Sequence, residues 1–126
     1  MSIVSIVVPL YNEEESVNEL FSQIKQALDP SEYAFEVLFI DDGSTDTSLK
    51  QIRELAKSDE RAKVVSFQRN HGKAAALNVG FQEAVGDFII TMDADLQDDP
   101  EEIIPLIAVL DEGWDMVSGW KQVRHD

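Results

Sequence analysis

Short apolar runs alternate with helical stripes along most of the chain. Ile3-Val4-Ser5-Ile6-Val7-Val8-Pro9 reads as a buried strand. Val17, Leu20, Phe21, Ile24 and Leu28 then recur at helical spacing and predict an amphipathic helix, with Asn12 and Glu15 as a capping box before it and Asp29-Pro30-Ser31 ending it. Phe35 to Ile40 is a second strand, followed by a helix with Leu49, Ile52, Leu55 and Ala56 on one side. Lys63 to Phe67 is a short third strand. The helix after it is alanine-rich, with Leu77, Phe81 and Ala84 inward and Gly86 at its end. Gly80 falls inside that helix, where it costs about 1 kcal/mol against Ala, and so predicts close packing on the sheet. Asp87 to Met92 is a fourth strand. Asp99 caps the next helix, with Pro100 at its first position, Pro105 bending it and Gly113 stopping it. Asp115 to Gly119 is a fifth strand, and Trp120 to Asp126 is read as a tail.

This β-α-β-α-β-α-β-α-β order predicts one α/β domain over residues 1–126, a Rossmann-like, mostly parallel sheet with helices on both faces. The unusual residues then fall into register. Pro9 to Glu13, Asp41-Asp42, Arg69 to Lys73, Asp93 to Gln97 and Trp120 to Arg124 each follow the carboxyl end of a strand. That edge is where open α/β sheets bind ligands.

Asp93-Ala94-Asp95-Leu96-Gln97 carries the sharpest chemistry. If the chain stays extended after the strand, alternation puts Asp93 and Asp95 on one side, with Gln97 as a third oxygen ligand. Oxygen ligands suit a hard divalent cation, Mg²⁺ or Mn²⁺, and two carboxylates leave coordination positions for a phosphate-bearing substrate. An EF-hand loop starting at Asp93 would need Gly and Glu where Asp98 and Ile104 stand. A phosphatase of the haloacid-dehalogenase type would carry its acidic pair at the first strand, yet only 31 residues follow Asp95. A response-regulator-like domain would also need its acidic pair after the first strand, where this chain has Tyr11-Asn12-Glu13. Asp98, Asp99, Glu101 and Glu102 read as a solvated turn at the start of the next helix.

The other clusters fit a nucleotide. Gly43 serves a tight turn before a helix capped by Ser44, Thr45 or Asp46, but a turn does not require adjacent carboxylates. A carboxylate at the sheet edge can accept from a base ring N–H, which assigns Asp42 to base recognition. Tyr11 can stack on that base. Gly72-Lys73 offers helix-start N–H groups and a cation for an anion, while a lone Gly-Lys is also a common cap. Neither a G-x-G-x-x-G nor a P-loop sequence is present.

The charge balance narrows the partners. Ten basic against 25 acidic residues give a net charge of −15, which excludes a nucleic-acid surface. It would also repel a bare nucleotide unless a metal ion and local cations offset it. Six of the ten residues from Asp93 to Glu102 are acidic, so the charge is densest where the cation is expected. No apolar run is long enough to span a membrane. Zero cysteines and the lack of a secretory n-region fit a cytoplasmic location.

Four stretches together, Ser5 to Glu14, Asp41 to Asp46, Arg69 to Lys73 and Asp93 to Asp98, resemble inverting family-2 glycosyltransferases of the GT-A fold. Within that family they most resemble the branch that uses dolichyl or other polyprenyl phosphates. The resemblance implies a nucleotide-diphosphate-sugar donor. It places Pro9, Tyr11, Glu13 and Asp42 at the nucleoside, beside the Lys73 already read as an anion site, with Asp93 near ribose and diphosphate and Asp95 with Gln97 at the metal, making Asp93 and Asp95 the catalytic pair. It further implies a lipid-phosphate acceptor near Lys121 and Arg124, with Lys121 standing where the branch usually has Arg. Relatives commonly continue into membrane helices. The chain is therefore expected to be the nucleotide-binding portion, with the acceptor half absent, at the cytoplasmic face of a membrane in full-length form. A homo-oligomer is compatible with this reading. By itself the 126-residue chain is expected to turn over little or no donor. The alternative is a module that binds nucleotide or metal and transfers nothing.

Overall fold

The computed structural model describes residues 2–111, 114–118 and 121–124, with side chains described for 2–109. The strands are β1 (Ile3–Leu10), β2 (Ala34–Asp41), β3 (Ala62–Ser66), β4 (Phe88–Thr91), β5 (Trp114–Ser118) and β6 (Lys121–Arg124). Between them run α1 (Val17–Leu28), α2 (Ser48–Ser58), α3 (Lys73–Glu83) and α4 (Ile103–Asp111), the last preceded by a 3₁₀ turn, Pro100–Glu102. The sheet order is β3-β2-β1-β4-β5-β6. The first five strands pair in parallel, and β6 returns antiparallel to β5. The tail read from sequence as running off the end thus contains a strand.

Strand β1 lies at the centre because it can be buried on both sides. Val4, Ile6, Val8 and Leu10 face the larger core with Phe21 and Ile24 of α1, Ile52 of α2 and Ile103 and Ile107 of α4. Val7 points the other way and meets Leu38, Ile40 and Ala76 of α3. The period of two along the strand therefore supplies both faces of the sheet. The stripe read for α1 is its buried set, Val17, Leu20, Phe21, Ile24 and Leu28.

Helix α3 reaches the sheet through Gly80. A Cβ there would lie 2.3 Å from Val7 Cγ1, so any side chain would force Val7 or the helix to shift. Glu36 of β2 is buried beneath the far end of the same helix. It accepts from Ser5 Oγ at 2.5 Å, Lys63 Nζ at 2.6 Å and the Val85 N–H at 2.8 Å. Burial pushes its carboxyl up, but these hydrogen bonds and the Lys63 charge outweigh burial and hold it below the usual value. Glu36 thereby ties β1, β2 and β3 to the segment just after α3 by charge-assisted bonds.

One capping expectation needs correction. Helix α1 begins at Val17 behind Ser16, so Asn12 does not cap it. Asn12 Oδ1 instead accepts the Thr45 N–H at 2.8 Å in the neighbouring loop. Asp99, by contrast, does cap: its carboxylate accepts the Glu101 N–H at 3.0 Å. Pro105 lies in the first turn of α4, after the 3₁₀ turn, and Gly113 falls outside the described residues.

Candidate functional site

The register brings the strand ends level. Leu10 is opposite Asp41, and Asp41 is opposite Ser66. Val7 is opposite Thr91, and the Met92 N–H to Val7 O bond at 3.0 Å carries the β1–β4 ladder up to Asp93. At this edge opens a cavity of about 210 Å³. Pro9 and Leu10 at the end of β1 and Tyr11 and Glu13 of the loop after it line the cavity, with Asp42 from the loop after β2. Lys73 and Ala76 come from the start of α3, and Asp93, Ala94 and Asp95 from the loop after β4. Its volume is below the roughly 300–1,000 Å³ usual for drug-sized ligands, so a nucleotide-sized molecule would lie partly across the open edge.

The structure thus gathers Pro9, Tyr11, Glu13, Asp42, Lys73, Asp93 and Asp95 around one cavity. Gln97 is not part of its lining. The condition set for Gln97 was an extended chain, and the backbone instead turns at Ala94-Asp95, with Leu96 at φ 66°. Asp95 Oδ1 accepts the Gln97 N–H at 3.1 Å, closing the turn, and the Gln97 side chain is exposed. The alternation argument therefore does not reach Gln97. Lys121 and Arg124 lie on β6, where only the backbone is described, and the acceptor assignments fall outside the described side chains.

Asp42 is held differently from a simple loop carboxylate. It is 5% exposed, and Oδ1 accepts the His71 N–H at 2.7 Å while Oδ2 accepts the Gly72 N–H at 3.0 Å. The approach depends on Gly43, which sits at φ 76° and whose Cβ, if present, would lie 2.4 Å from the Arg69 carbonyl carbon. Asp42 therefore fixes the backbone on which Lys73 stands. It also uses N–H groups that the sequence offered to an anion. Lone pairs remain on both its oxygens, since a carboxylate has about four acceptor sites. Asp41 is 1% exposed; Oδ2 accepts the Ser44 N–H at 3.2 Å, and Oδ1 has no hydrogen-bond partner among the described residues.

Lys73 Nζ lies 2.7 Å from Asp93 Oδ1, an ion pair across the cavity. Below it the loop after β4 is anchored by residues that sequence reasoning passed over. Ser16 Oγ donates to the Ala94 carbonyl, and Asp98 Oδ2 accepts the Asp93 N–H at 3.3 Å. Asp98 thus folds back on the acidic turn, where a solvated surface position had been expected. The signal for Ser16 was its place just before the apolar stripe of α1.

The donors at this edge fit a hard divalent cation. Asp93 and Asp95 offer carboxylate oxygens two positions apart on one turn, and Asp95 is exposed. Among the described residues no cluster of three His, Cys, Asp or Glu could complete a metal site. A cation here would need further oxygens from its ligand.

The molecule can now be compared with known proteins. The sequence pattern of glycosyl transferase family 2 matches residues 5–125. Undecaprenyl-phosphate 4-deoxy-4-formamido-L-arabinose transferase of Proteus mirabilis is 41% identical over 98% of this chain, which spans 38% of that relative's length. Staphylococcus aureus TarS in complex with UDP-GlcNAc superposes with a TM-score of 0.65 at 35% identity, over 90% of this chain and 32% of TarS. The Pyrobaculum calidifontis mannosyltransferase PcManGT in complex with GDP-Man and Mn²⁺ superposes with a TM-score of 0.68 at 28% identity, over 80% of this chain and 30% of its own. The mostly parallel α/β sheet expected from the sequence is the architecture shared with them. With nearly its whole length inside the matched pattern, the chain belongs to glycosyl transferase family 2.

Proposed function

We propose that this chain is the donor-binding portion of an inverting glycosyltransferase that moves a sugar from a nucleotide diphosphate to a polyprenyl phosphate. The observation that carries the reading is the meeting of Asp93, Asp95 and Lys73 with Tyr11 and Asp42 around one cavity at the carboxyl edge of the sheet. A cationic group and a carboxylate pair suit a diphosphate with its metal. An aromatic ring and a nearly buried carboxylate suit a base. The names of the relatives support the same chemistry: a lipid-phosphate sugar transferase at 41% identity, and structures with a UDP-sugar or with GDP-mannose and Mn²⁺. Among the described residues no helix is long and apolar enough to cross a membrane.

In this reading Tyr11 stacks on the base and Asp42 accepts from its ring N–H, with Pro9 and Glu13 completing the nucleoside wall. Lys73 pairs with the diphosphate, and Asp93 lies near ribose and diphosphate, where its carboxylate can accept from a ribose hydroxyl. Asp95 holds the divalent cation, Mg²⁺ or Mn²⁺, which when bound stabilises charge on the departing diphosphate. An oxygen of the acceptor phosphate attacks the anomeric carbon as the bond to the donor diphosphate breaks. The nucleoside diphosphate leaves with the electron pair, and the anomeric configuration inverts. The acceptor is already an anion, so it needs positioning more than a base. Lys121 and Arg124 are the residues proposed for that phosphate.

The test is calorimetry of UDP and GDP binding in Mn²⁺ and in chelator, for the wild type and Asp95→Ala. The wild type should bind a nucleotide only with metal, and the exposed Asp95→Ala should lose that dependence without loss of fold. Equal affinity in Mn²⁺ and chelator would remove the metal from the reading.

A further inference from the structure

We infer that Lys73 is the resident counter-ion of the acidic turn: its ammonium competes with a divalent cation for Asp93, and a diphosphate relieves the competition by taking Lys73. This rests on the donor-binding reading above. It adds that metal and nucleotide bind cooperatively because they share one lysine.

The geometry separates fixed parts from movable ones. The backbone at Lys73 is pinned from behind, because the N–H groups of His71 and Gly72 both donate to the nearly buried Asp42. The backbone at Asp93 is pinned too, by Asp98 on its own N–H and by Ser16 on the next carbonyl. Only the two side chains between these anchors are free to change partner. Their side chains are 60% and 48% exposed, so neither is locked by packing. The pair spans the cavity that Asp95 also lines, so Lys73, Asp93 and the carboxylate proposed for the metal open on one space.

An ammonium is a compact charge with three donors on a flexible stem, so it can pass from a carboxylate to a phosphate oxygen without moving the helix. A cation arriving alone must displace Lys73 from Asp93 or share the carboxylate with it at the cost of charge repulsion. A diphosphate arriving with the cation gives Lys73 a second anion. Linkage then requires that each ligand raise the affinity of the other by the same factor. Exposed ion pairs are weak, so losing this one should strengthen binding of the metal alone by only about twofold to fivefold.

The experiment measures free Mn²⁺ by electron paramagnetic resonance in titrations of the 126-residue chain, first without nucleotide and then with UDP or GDP. Wild type, Lys73→Met and Lys73→Arg are compared at matched concentrations, so that metal–nucleotide complexes in solution contribute equally. Lys73→Met should bind Mn²⁺ alone about twofold to fivefold tighter than wild type and gain less from nucleotide. Lys73→Arg, which keeps the charge, should stay near wild type. Unchanged or weaker Mn²⁺ binding by Lys73→Met, with the nucleotide enhancement intact in wild type, would overturn the counter-ion role and leave the donor reading standing. If neither nucleotide enhances Mn²⁺ binding in wild type, the donor reading fails and the coupling fails with it.

Discussion

Replacing Asp42 with Asn separates two roles of one carboxylate. Its two oxygens accept backbone N–H groups of His71 and Gly72, at 2.7 and 3.0 Å, in a position only 5% exposed. Asparagine keeps one acceptor and turns an NH₂ group toward the other N–H. A hydrogen bond to a charged group contributes about 1.5–3 kcal/mol, and a neutral one about 0.5–1.5 kcal/mol. Losing one bond and weakening the other should therefore cost about 2–4 kcal/mol, a large part of the roughly 5–15 kcal/mol that holds a domain together. The first assay is urea unfolding followed by circular dichroism, where the midpoint should fall at constant slope. The second is nucleotide titration well below that midpoint, where affinity should also fall. Asp41→Asn is the comparison, since Asp41 accepts only the weaker Ser44 bond at 3.2 Å. An unchanged midpoint in Asp42→Asn would show that the carboxylate does not hold the loop. Affinity that survives there and fails in Asp41→Asn would move base recognition to Asp41.

Glu36 should shape the acid limb of stability. Its carboxyl is held below the ordinary 4.5, so the unfolded chain binds the proton more readily, and the stabilisation is present above about pH 4.5 and lost as pH falls through the lowered value. Urea midpoints of Glu36→Gln should be lower at neutral pH and flatter on acidification, and a wild-type-like acid limb would contradict this. Gly80→Ala should destabilise by up to about 2 kcal/mol, because overpacking against Val7 at about 1–3 kcal/mol is set against a helix-propensity gain of about 1 kcal/mol. Thermal melts of Gly80→Ala with Val7→Ala should show a double variant less damaged than the sum, and simple additivity would refute the contact.

Local patterns were legible in the sequence where one stretch decides its own structure. The α1 stripe, the Asp99 cap and the Gly80 contact depend on spacing within one element and its nearest strand. The cluster of polar loops at one edge followed from the βα order alone. Asn12 was misread because its side chain serves a loop some thirty residues on, and a cap signal cannot reveal a competing long-range partner. The extended chain assumed for Gln97 does not hold, because alternation ends where the strand ends and the positive φ falls on Leu96, which announces no turn. The β6 strand depends on pairing with β5, a non-local fact with no strong mark in Lys121 to Arg124. The Lys73–Asp93 pair joins the start of α3 to the loop after β4, and only the fold brings them together.

The loop after β1 and the loop after β2 are laced to each other. Asn12 N–H donates to Ser44 Oγ at 2.8 Å and Glu13 N–H to Ser48 Oγ at 2.8 Å, while Thr47 N–H donates to Glu14 Oε2 at 2.9 Å and Thr45 N–H to Asn12 Oδ1. Amide protons in such loops ordinarily exchange with solvent as though unstructured. Here those of Asn12, Glu13, Thr45 and Thr47 should exchange slowly and at a common rate, since opening one bond strains the rest. A wall that opens only as a unit loses little disorder when a ligand settles against it. Tyr11 and Asp42 stand on this stiff wall, whereas Asp93 and Asp95 stand on a turn held by one long-range tie, from Ser16, and one local tie, from Asp98. The two ends of a ligand would meet different mechanics, an unyielding frame at one and an adjustable arm at the other.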